Sequence, residues 1–342
     1  MKCVYVTLLA LCVPASAAHA AEEATAPVAV PVEVYKPPTA IDLQKPGYPV
    51  GQRASGAEGW VIVNMMIDPH GRPYEATVVE STGNPVLEKA ALEAVEKWRF
   101  EPASLNGAPI HAGGNYKIDF RLTGETGARD AFARAYRQAV NAVQEGDRER
   151  ADSRLALLKP HNLYEDAYAG LAYYTYYHKW GNVEQQLSAI RRAIAGEKSA
   201  RYLPKEAFTT AQQAALALEI QTQDYGRALT TWAALRDDLD ASRRAQWQKS
   251  IDQIEALRTE DKAFAVTGEI TKGTSWYYLL LKNRFQLEVA NGAVAEIKLR
   301  CNRQYVSFHF DPKLQYTIAG GDRGCWMEVV GDPGTKFQLV QL

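Results

Sequence analysis

A helix whose buried stripe consists of small side chains is the feature that most constrains the fold of this chain. Asn84 is a plausible N-cap and Pro85 suits the first helical position, so the helix is predicted to begin there. Alanines along the stripe let a helix approach its neighbour closely, so the sequence predicts a flat layer of strands beneath it. The stripe recurs at intervals of three and four residues, at Leu87, Ala90, Ala91, Ala94, Val95 and Trp98.

The layer is predicted from three stretches of alternating residues. Residues 59–67 alternate as a strand, residues 68–71 read Asp-Pro-His-Gly and favour a tight turn, and residues 74–81 return as a second strand. After the helix, residues 115–122 alternate polar side chains with apolar ones, which is typical of a half-buried strand with one wet face. The order of elements is β-β-α-β, which indicates an α+β domain.

This segment resembles the C-terminal domain of the TonB energy-transducer family, and we place the domain at residues 48–123. The resemblance rests on short matches that are weak singly and specific together, because they follow the family's order and spacing. They are Tyr48-Pro49, Glu58-Gly59, Val61, Val63, Gly71, Val79, Ser81, Gly83, Leu87, Ala90-Ala91, Ala94, Trp98-Arg99-Phe100, Pro102-Ala103, Gly107, Pro109 and Phe120.

The resemblance implies peptide binding in the periplasm of Gram-negative bacteria. Such domains bind an extended segment of an outer-membrane transporter, which adds as a strand beside the last strand of the sheet. The alternative is that Tyr116 and Phe120 are plain core residues and that the following helical region covers the edge. Carried onto this chain, the peptide-binding residues are expected to be Tyr48, Pro49, Asn115, Tyr116, Lys117, Ile118, Asp119, Phe120 and Arg121.

The N-terminus carries the pattern of a secretory signal peptide. Lys2 precedes a short apolar run, and Ala-His-Ala at 18–20 predicts cleavage after Ala20. Residues 21–47 are rich in Ala, Val and Pro and are predicted to form a semi-extended leader. The expected location is the periplasm, with inner-membrane association if the signal is retained. Transducers of the family keep a membrane helix and a long spacer instead, so motor-coupled transduction is not expected here.

Residues 127–258 are predicted to be an all-α bundle of tetratricopeptide-like repeats. Three segments, at 146–158, 181–193 and 223–235, align position for position at a spacing close to that of such repeats. Tyrosines crowd residues 164–177 and are followed by a tryptophan. At helical spacing these aromatic residues are expected to fill the core between repeats; the alternative is that they line a peptide groove.

Residues 262–342 are predicted to form an all-β sandwich or small barrel. Short alternating strands are separated by Gly-rich turns, and Asn291-Gly292 favours a hairpin. Two of the four cysteines lie in the signal, which leaves Cys301 and Cys325 as an even pair in an oxidising compartment. A disulfide between them is therefore predicted, and the alternative is two buried unpaired thiols.

Charge and motifs argue against several other classes of protein. A net charge of −1 provides no basic field for nucleic acid. The histidines beyond the signal lie in separate segments without metal-ligand spacing, and the sequence lacks the motifs of serine hydrolases, zinc proteases and nucleotide-binding loops. We therefore expect no enzyme, no metal, no cofactor and no small-molecule substrate. A catalytic site hidden in residues 262–342 is the alternative.

The sequence thus predicts an α+β multidomain protein of the periplasm, with a TonB-like domain, helical repeats and a disulfide-tied β domain. Its expected function is that of a transport-associated adaptor, which binds extended segments of outer-membrane transporters or of other envelope proteins. The alternative is a structural envelope scaffold, in which the sheet docks internally and the helical repeats bind other proteins.

Overall fold

Strand pairing and helix packing divide the described chain into three successive regions. The computed structural model describes residues 34–122, 127–195, 202–271, 273–319 and 324–342. The predicted signal peptide and the first part of the predicted leader lie outside these residues. Among the helices that are described, none combines the length and the apolar composition needed to cross a membrane.

The first region, residues 34–122, combines short strands with two helices. The helices are α1 (Val50–Ala54) and α2 (Pro85–Val95). The strands are β1 (Tyr35–Lys36), β2 (Thr39–Asp42), β3 (Gly59–Ile67), β4 (Pro73–Ser81), β5 (Arg99–Glu101), β6 (Ala103–Leu105), β7 (Ala108–Ile110) and β8 (Ala112–Phe120).

A three-stranded antiparallel sheet of order β4-β3-β8 is the centre of this region. α2 lies on its first face, where Leu87, Ala91 and Val95 are fully buried against apolar side chains of β3 and β8. The predicted alanine-faced helix is therefore confirmed. Its predicted N-cap is confirmed as well, because the side chain of Asn84 accepts hydrogen bonds from two backbone amides in the first turn.

The corner that follows α2 depends on Gly71 in the turn between β3 and β4. Gly71 has a φ of 75°, in the left-handed region that favours glycine, and its carbonyl oxygen accepts a hydrogen bond of 2.9 Å from the N–H of Phe100. A Cβ at residue 71 would lie 1.8 Å from the carbonyl oxygen of Phe100. Glycine therefore allows the run Trp98-Arg99-Phe100 to fold against the hairpin.

Part of the predicted leader takes part in strand pairing. β1 pairs with β6, and β2 pairs with β5. The indole N–H of Trp98 also donates to the carbonyl oxygen of Gln44 at 2.9 Å. Strand pairing in the first region therefore extends upstream of residue 48.

The second region is helical. α3 packs against α4, α5 against α6 and α7 against α8, which gives three successive helical hairpins in the described part of the chain. The second helix of each hairpin falls in one of the three aligned sequence segments, while their assignment as tetratricopeptide-like repeats stays a prediction. The helices are α3 (Asp130–Glu145), α4 (Arg148–Leu155), α5 (Leu163–Trp180), α6 (Val183–Ile194), α7 (Lys205–Gln221), α8 (Tyr225–Leu235) and α9 (Ala241–Leu257), with a 3₁₀ turn at Arg236–Asp238.

The tyrosines of α5 are half-buried. Tyr168, Tyr173 and Tyr176 pack against buried residues of α3, α4 and α5, as the core interpretation predicts for them. Tyr174 packs against buried residues of α6 and α7, and it also lines a groove of about 640 Å³ between α5, α6 and α7.

Helices and strands of the third region together cover much of the second face of the sheet, whereas the alternating pattern predicts a wet face. Trp60 of β3 is 1% exposed and packs against apolar residues of α5 and α7. On β8, Asn115 is exposed, but the side chains of Lys117 and Asp119 are only 19% and 22% exposed. The expectation of a wet face is therefore wrong for most of this surface. Alternation shows which side chains share a face, but not what packs on that face.

The third region, residues 264–342, is built of antiparallel strands. Two four-stranded sheets, of order β10-β15-β12-β13 and β14-β11-β16-β9, enclose one cluster of buried apolar residues. The choice between a sandwich and a barrel stays a prediction. The strands are β9 (Phe264–Glu269), β10 (Ser275–Leu279), β11 (Arg284–Asn291), β12 (Val294–Arg300), β13 (Tyr305–His309), β14 (Tyr316–Thr317), β15 (Trp326–Gly331) and β16 (Lys336–Gln341).

A disulfide joins Cys301, just after β12, to Cys325, just before β15. Both cysteines are 1% exposed and belong to the apolar cluster between the sheets. The predicted pairing is confirmed, and the alternative of two unpaired thiols is wrong.

Candidate functional site

β8 is an outer strand of its sheet, and its main-chain groups alternate in direction. It pairs with β3 along its whole length without a register shift. The N–H of Gly113 donates to the carbonyl oxygen of Cys301 at 2.9 Å, and so is directed away from β3. Because direction alternates along an antiparallel pair, the same outward direction is shared by the main-chain groups of Gly113, Asn115, Lys117 and Asp119. We call this row the β8 border.

The side chains of the β8 border lie on the second face of the sheet. The amide Nδ2 of Asn64 donates to Oδ1 of Asn115 at 2.6 Å. The carboxylate of Asp119 forms ion pairs with Lys117 and with Arg121, and the Arg121 Nη2 lies 3.2 Å from its Oδ2. A segment that added beside β8 would therefore meet side chains that are already held along the strand by opposite charges.

The other predicted residues of β8 belong to the core of the first face. Ile118 is 5% exposed and Phe120 is 2% exposed, and both pack under α2. The ring centroid of Tyr116 lies 5.6 Å from that of Trp98 and 5.4 Å from that of Phe100. Burial raises the pKa of Tyr116, so its hydroxyl stays protonated. These three side chains hold β8 in place from the first face, which α2 covers and which lies opposite to the helices of the second region.

Tyr48 and Pro49 lie near the end of β8. The ring of Tyr48 meets that of Phe120 edge to face, with centroids 5.7 Å apart, and its hydroxyl donates to the carbonyl oxygen of Ala57 at 2.6 Å. Burial, and then the charge of Glu58, raise the pKa of Tyr48. Pro49 directly precedes α1. The structure thus brings Tyr48 beside β8 as the sequence predicts, but mainly through packing with Phe120.

Glu58 joins the end of β8 to the helical region. Its Oε1 accepts a hydrogen bond of 2.7 Å from the N–H of Leu122, and its Oε2 accepts one of 3.2 Å from the N–H of Leu163, the first residue of α5. The carboxylate therefore fixes the sheet and α5 to each other. Sequence reasoning recorded Glu58 only as a family match, because its partner on α5 is distant along the chain.

A cavity of about 860 Å³ lies between the second face of the sheet, the helices of the second region and strands of the third region. Its apolar lining includes Ile62, Phe208 and Trp326, and the side chains of the β8 border contribute polar groups. Arg191 and Glu219 lie in its wall and form an ion pair of 2.9 Å. Burial raises the pKa of Glu219 in spite of the nearby guanidinium. Such a cavity can hold side chains or a ligand next to β8.

Metal-binding groups do not gather at this site. Within the described ranges, no three His, Cys, Asp or Glu side chains are placed so that they could hold a metal ion. His111 contacts the hydroxyl of Tyr74 through Nδ1 at 2.8 Å, and His178 contacts the side chain of Gln186 at 3.3 Å. The arrangement around β8 is suited to binding through main-chain groups and packing.

Two contacts at the ends of the β8 border escaped sequence reasoning. Gly113 meets Cys301 of the third region, and the guanidinium carbon of Arg121 lies 5.6 Å from the ring centroid of Tyr202 in the second region. The pair Gly113-Gly114 is a signal of close backbone approach in a strand. Nothing in the sequence identifies Cys301 or Tyr202 as the neighbour, because both lie in other regions of the chain.

Comparison with known proteins assigns the first region to a family. Residues 44–122 match the family described as Gram-negative bacterial TonB protein C-terminal. Protein TonB of Vibrio cholerae is 33% identical over 94 residues, which cover 28% of this chain and 38% of that relative. Protein tonB2 of Pseudomonas aeruginosa is 34% identical over 77 residues, which cover 22% of this chain and 28% of that relative. Residues 44–122 are therefore a TonB C-terminal domain.

A solved structure is also similar to this chain. The solution NMR structure of the Pseudomonas aeruginosa TonB CTD has 28% sequence identity and a TM-score of 0.24, and the match covers 26% of this chain and 90% of that one. The chain spans less than two fifths of the length of the Vibrio and Pseudomonas relatives. The helical region and the β region lie outside the residues that match the family.

Proposed function

We propose that this chain is a periplasmic adaptor of the bacterial envelope. Its TonB C-terminal domain binds an extended segment of an outer-membrane transporter, or of another envelope protein, which adds as a strand along the β8 border. The proposal includes no catalytic step, no cofactor and no coupling to a membrane motor. The predicted signal peptide, the disulfide and the family of residues 44–122 support a periplasmic location.

The observation that carries the proposal is the position of β8 in the domain that matches the family. Within the described residues β8 pairs with β3 alone as a strand, and its outward main-chain groups follow one another at every second residue. Outward groups of this kind are what strand addition uses: main-chain hydrogen bonds supply affinity, and alternate side chains supply selectivity. Side chains of the bound segment would alternate between the two faces of the sheet. One half would face the cavity, and the other half would face Tyr116 and its aromatic neighbours.

A proline substitution at Asn115 tests strand addition. Asn115→Pro removes one outward N–H, while the ladder between β8 and β3 uses the neighbouring residues and stays intact. Asn115→Ala is the matched control, because it also loses the bond to Asn64 but keeps the N–H. In titrations with synthetic extended segments of outer-membrane transporters, we expect the proline variant to bind about fivefold more weakly than the alanine variant. Equal affinities, or no saturable binding to the unmodified protein, would count against the adaptor function.

A structural scaffold is the second candidate, and the covered second face of the sheet favours it. Trp60 packs against α5 and α7, and Glu58 is bonded to the start of α5, so the sheet docks on the helices of its own chain. In this case the groove between α5, α6 and α7 would hold partner proteins. The exposed residue Ala207 lies in its lining.

A substitution in the groove separates the two candidates. Ala207→Arg places a long charged side chain in the groove, and Ser242→Arg on the exposed start of α9 is the matched control. The measurement is the set of partner proteins that become crosslinked to each variant in intact envelopes. The scaffold function predicts that these crosslinks are lost with Ala207→Arg and retained with Asn115→Pro. The adaptor function predicts the opposite pattern.

A further inference from the structure

β13 is an outer strand of the third region, and its main-chain groups alternate in direction. It pairs with β12 along its whole length without a register shift. The carbonyl oxygen of Gln304 and the N–H of Phe310, which flank β13, both bond to residues at the ends of β12, over 2.9 and 3.1 Å. Because direction alternates along an antiparallel pair, the N–H and C=O groups of Tyr305, Ser307 and His309 point away from β12. We call these three residues the β13 border.

The β13 border has no main-chain partner within the described ranges. As a strand, β13 pairs with β12 alone, and the main-chain hydrogen bonds between the described residues outside the strand ladders do not involve the border. Val306 is 39% exposed, and the side chains of Ser307 and His309 are exposed as well. The strand reads Tyr-Val-Ser-Phe-His, without the charged side chains, prolines or bulges by which natural proteins keep edge strands apart. It is therefore suited to pair with a further strand.

The opposite outer strand of the same sheet, β10, is covered by the protein's own chain. α8 packs against it, and a Cβ added at Gly226 of α8 would lie 2.5 Å from the carbonyl oxygen of Leu279. On the same strand, the hydroxyl of Tyr277 lies 2.7 Å from that of Thr77 on β4. The two ends of this sheet thus differ, because β10 is packed against other elements and the β13 border is not.

The β13 border is complementary to a second copy of itself. In an antiparallel pair centred on Ser307, the main-chain groups of Ser307 meet those of the same residue in the second copy, and those of Tyr305 meet those of His309. Each outward pair exchanges two hydrogen bonds, so the three pairs exchange about six. A centre shifted by one residue leaves only two outward pairs. A two-fold arrangement therefore favours the register centred on Ser307.

The side chains also fit this register. Val306 would lie opposite Phe308 of the second copy, on the face where Phe308 packs against the apolar cluster between the sheets. The two Ser307 hydroxyls would meet at the axis, where they can bond to each other. No like charges are brought together, because β13 carries none of the acidic or basic residues Asp, Glu, Lys and Arg. An unrelated segment would have to reproduce this arrangement, whereas a second copy of the chain already carries it.

We propose that two copies of this chain associate through β13, by antiparallel pairing about a two-fold axis at Ser307. The sheet β10-β15-β12-β13 then continues into its counterpart, and the dimer carries two TonB C-terminal domains. Association through β13 is independent of strand addition at β8. Two paired strands of 5 residues form a contact smaller than a standard interface, so we expect a weak dimer with a Kd on the order of 10 µM.

A proline at the axis tests the main-chain pairing. Ser307→Pro removes one outward N–H from each copy, while the ladder between β13 and β12 uses the neighbouring residues and stays intact. Ser307→Ala is the matched control, because it loses the hydroxyl and keeps the N–H. Sedimentation velocity of the full chain, from about tenfold below to about tenfold above the expected Kd, measures the dimer. With two hydrogen bonds lost at about fivefold each, the proline variant should dimerise about 25-fold more weakly than the alanine variant.

Opposite charges at residue 307 test the two-fold axis itself. Ser307→Lys and Ser307→Glu each place like charges directly opposite one another, and each alone should dimerise about fivefold more weakly than Ser307→Ala. An equimolar mixture of the two should recover the lost affinity, because Lys then faces Glu across the axis. Lys298 of β12 lies beside residue 307 in the same copy, and its influence is present in monomer and dimer alike. Ser242→Lys and Ser242→Glu, on the exposed start of α9, are the controls and should leave the Kd unchanged.

Each outcome decides for or against the β13 dimer. A chain that stays monomeric over the whole concentration range would overturn it. A dimer with equal Kd values for Ser307→Pro and Ser307→Ala, or one that the mixture of charged variants does not restore, would place the contact elsewhere. The charged pair keeps both N–H groups and so covers the case in which Ser307→Pro fails to fold. Peptide titrations of the Asn115 variants test the proposed function separately, and their failure would leave the dimer standing.

Discussion

Replacement of Gly71 by alanine should damage the corner at which the β3–β4 turn meets Phe100. An alanine at a φ of 75° costs roughly 1 kcal/mol in backbone conformation alone. Its Cβ would lie 1.8 Å from the carbonyl oxygen of Phe100, so the two segments must separate. Separation breaks the hydrogen bond from the N–H of Phe100 to residue 71, which is worth about 1 kcal/mol. It also loosens the packing of the Phe100 side chain, which is 3% exposed, and this costs about 2 kcal/mol more. The expected loss is about 4 kcal/mol.

The matched control is Gly83→Ala. Gly83 has a φ of 81°, but an added Cβ there would meet no atom within 4 Å, so only the conformational cost of about 1 kcal/mol applies. The difference between the two variants therefore isolates the steric contact with Phe100.

Amide hydrogen exchange is the appropriate assay, because a chain with several regions does not unfold in one two-state step. Fragments that cover residues 98–120 report the free energy of local opening around the corner. We expect Gly71→Ala to lower this free energy by about 3 kcal/mol more than Gly83→Ala does. Equal losses in the two variants would refute the argument that close backbone approach at Gly71 positions β8.

Three other predictions concern the contacts between and within the regions. Glu58→Ala leaves two backbone N–H groups without their acceptor, and it should lower the free energy of opening between the sheet and α5 by about 2–4 kcal/mol. Glu58→Gln should lose roughly half as much, and amide hydrogen exchange measures both losses. Burial tends to raise the pKa of Glu165, but hydrogen bonds from its arginine and backbone partners outweigh burial and hold that pKa below its ordinary value. Its stabilisation should therefore be complete above about pH 4.5 and be lost as pH falls through the lower folded-state pKa, so Glu165→Gln should flatten acid denaturation curves in this range. Reduction of the Cys301–Cys325 disulfide should destabilise the β region by about 3 kcal/mol, as measured by urea denaturation with and without reductant, whereas an unchanged midpoint would contradict the prediction.

The local features of the TonB-like domain could be predicted because each depends on residues that are close in sequence. The cap at Asn84, the alanine stripe of α2 and the turn that ends at Gly71 follow from helix spacing, capping and turn geometry. Alternation likewise showed which residues of β8 point to α2. Ile118 and Phe120 are buried there, and this pattern is a consequence of the two-residue period of a strand.

The disulfide could be predicted for a different reason. If the predicted signal peptide is set aside, Cys301 and Cys325 are the two other cysteines of the sequence, and the predicted oxidising compartment favours their pairing. The three helical hairpins were also visible as an internal repeat, since the second helix of each one carries the same order of polar turn and apolar ladder.

The surroundings of β8 were decided only by the tertiary structure. Alternation showed that Trp60 shares a face with Ile62 and Asn64, but that face is covered by helices and by strands of the third region, whose sequences lie far away. The contact of Gly113 with Cys301 is equally remote in sequence. Spacing rules describe neighbours within a few residues, whereas contacts between regions depend on how complete surfaces fit together, and a single sequence carries no local signal for that. The sequence by itself therefore determined many of the elements and the family of residues 44–122, and only the folded chain decided which other regions pack around the outer strand β8.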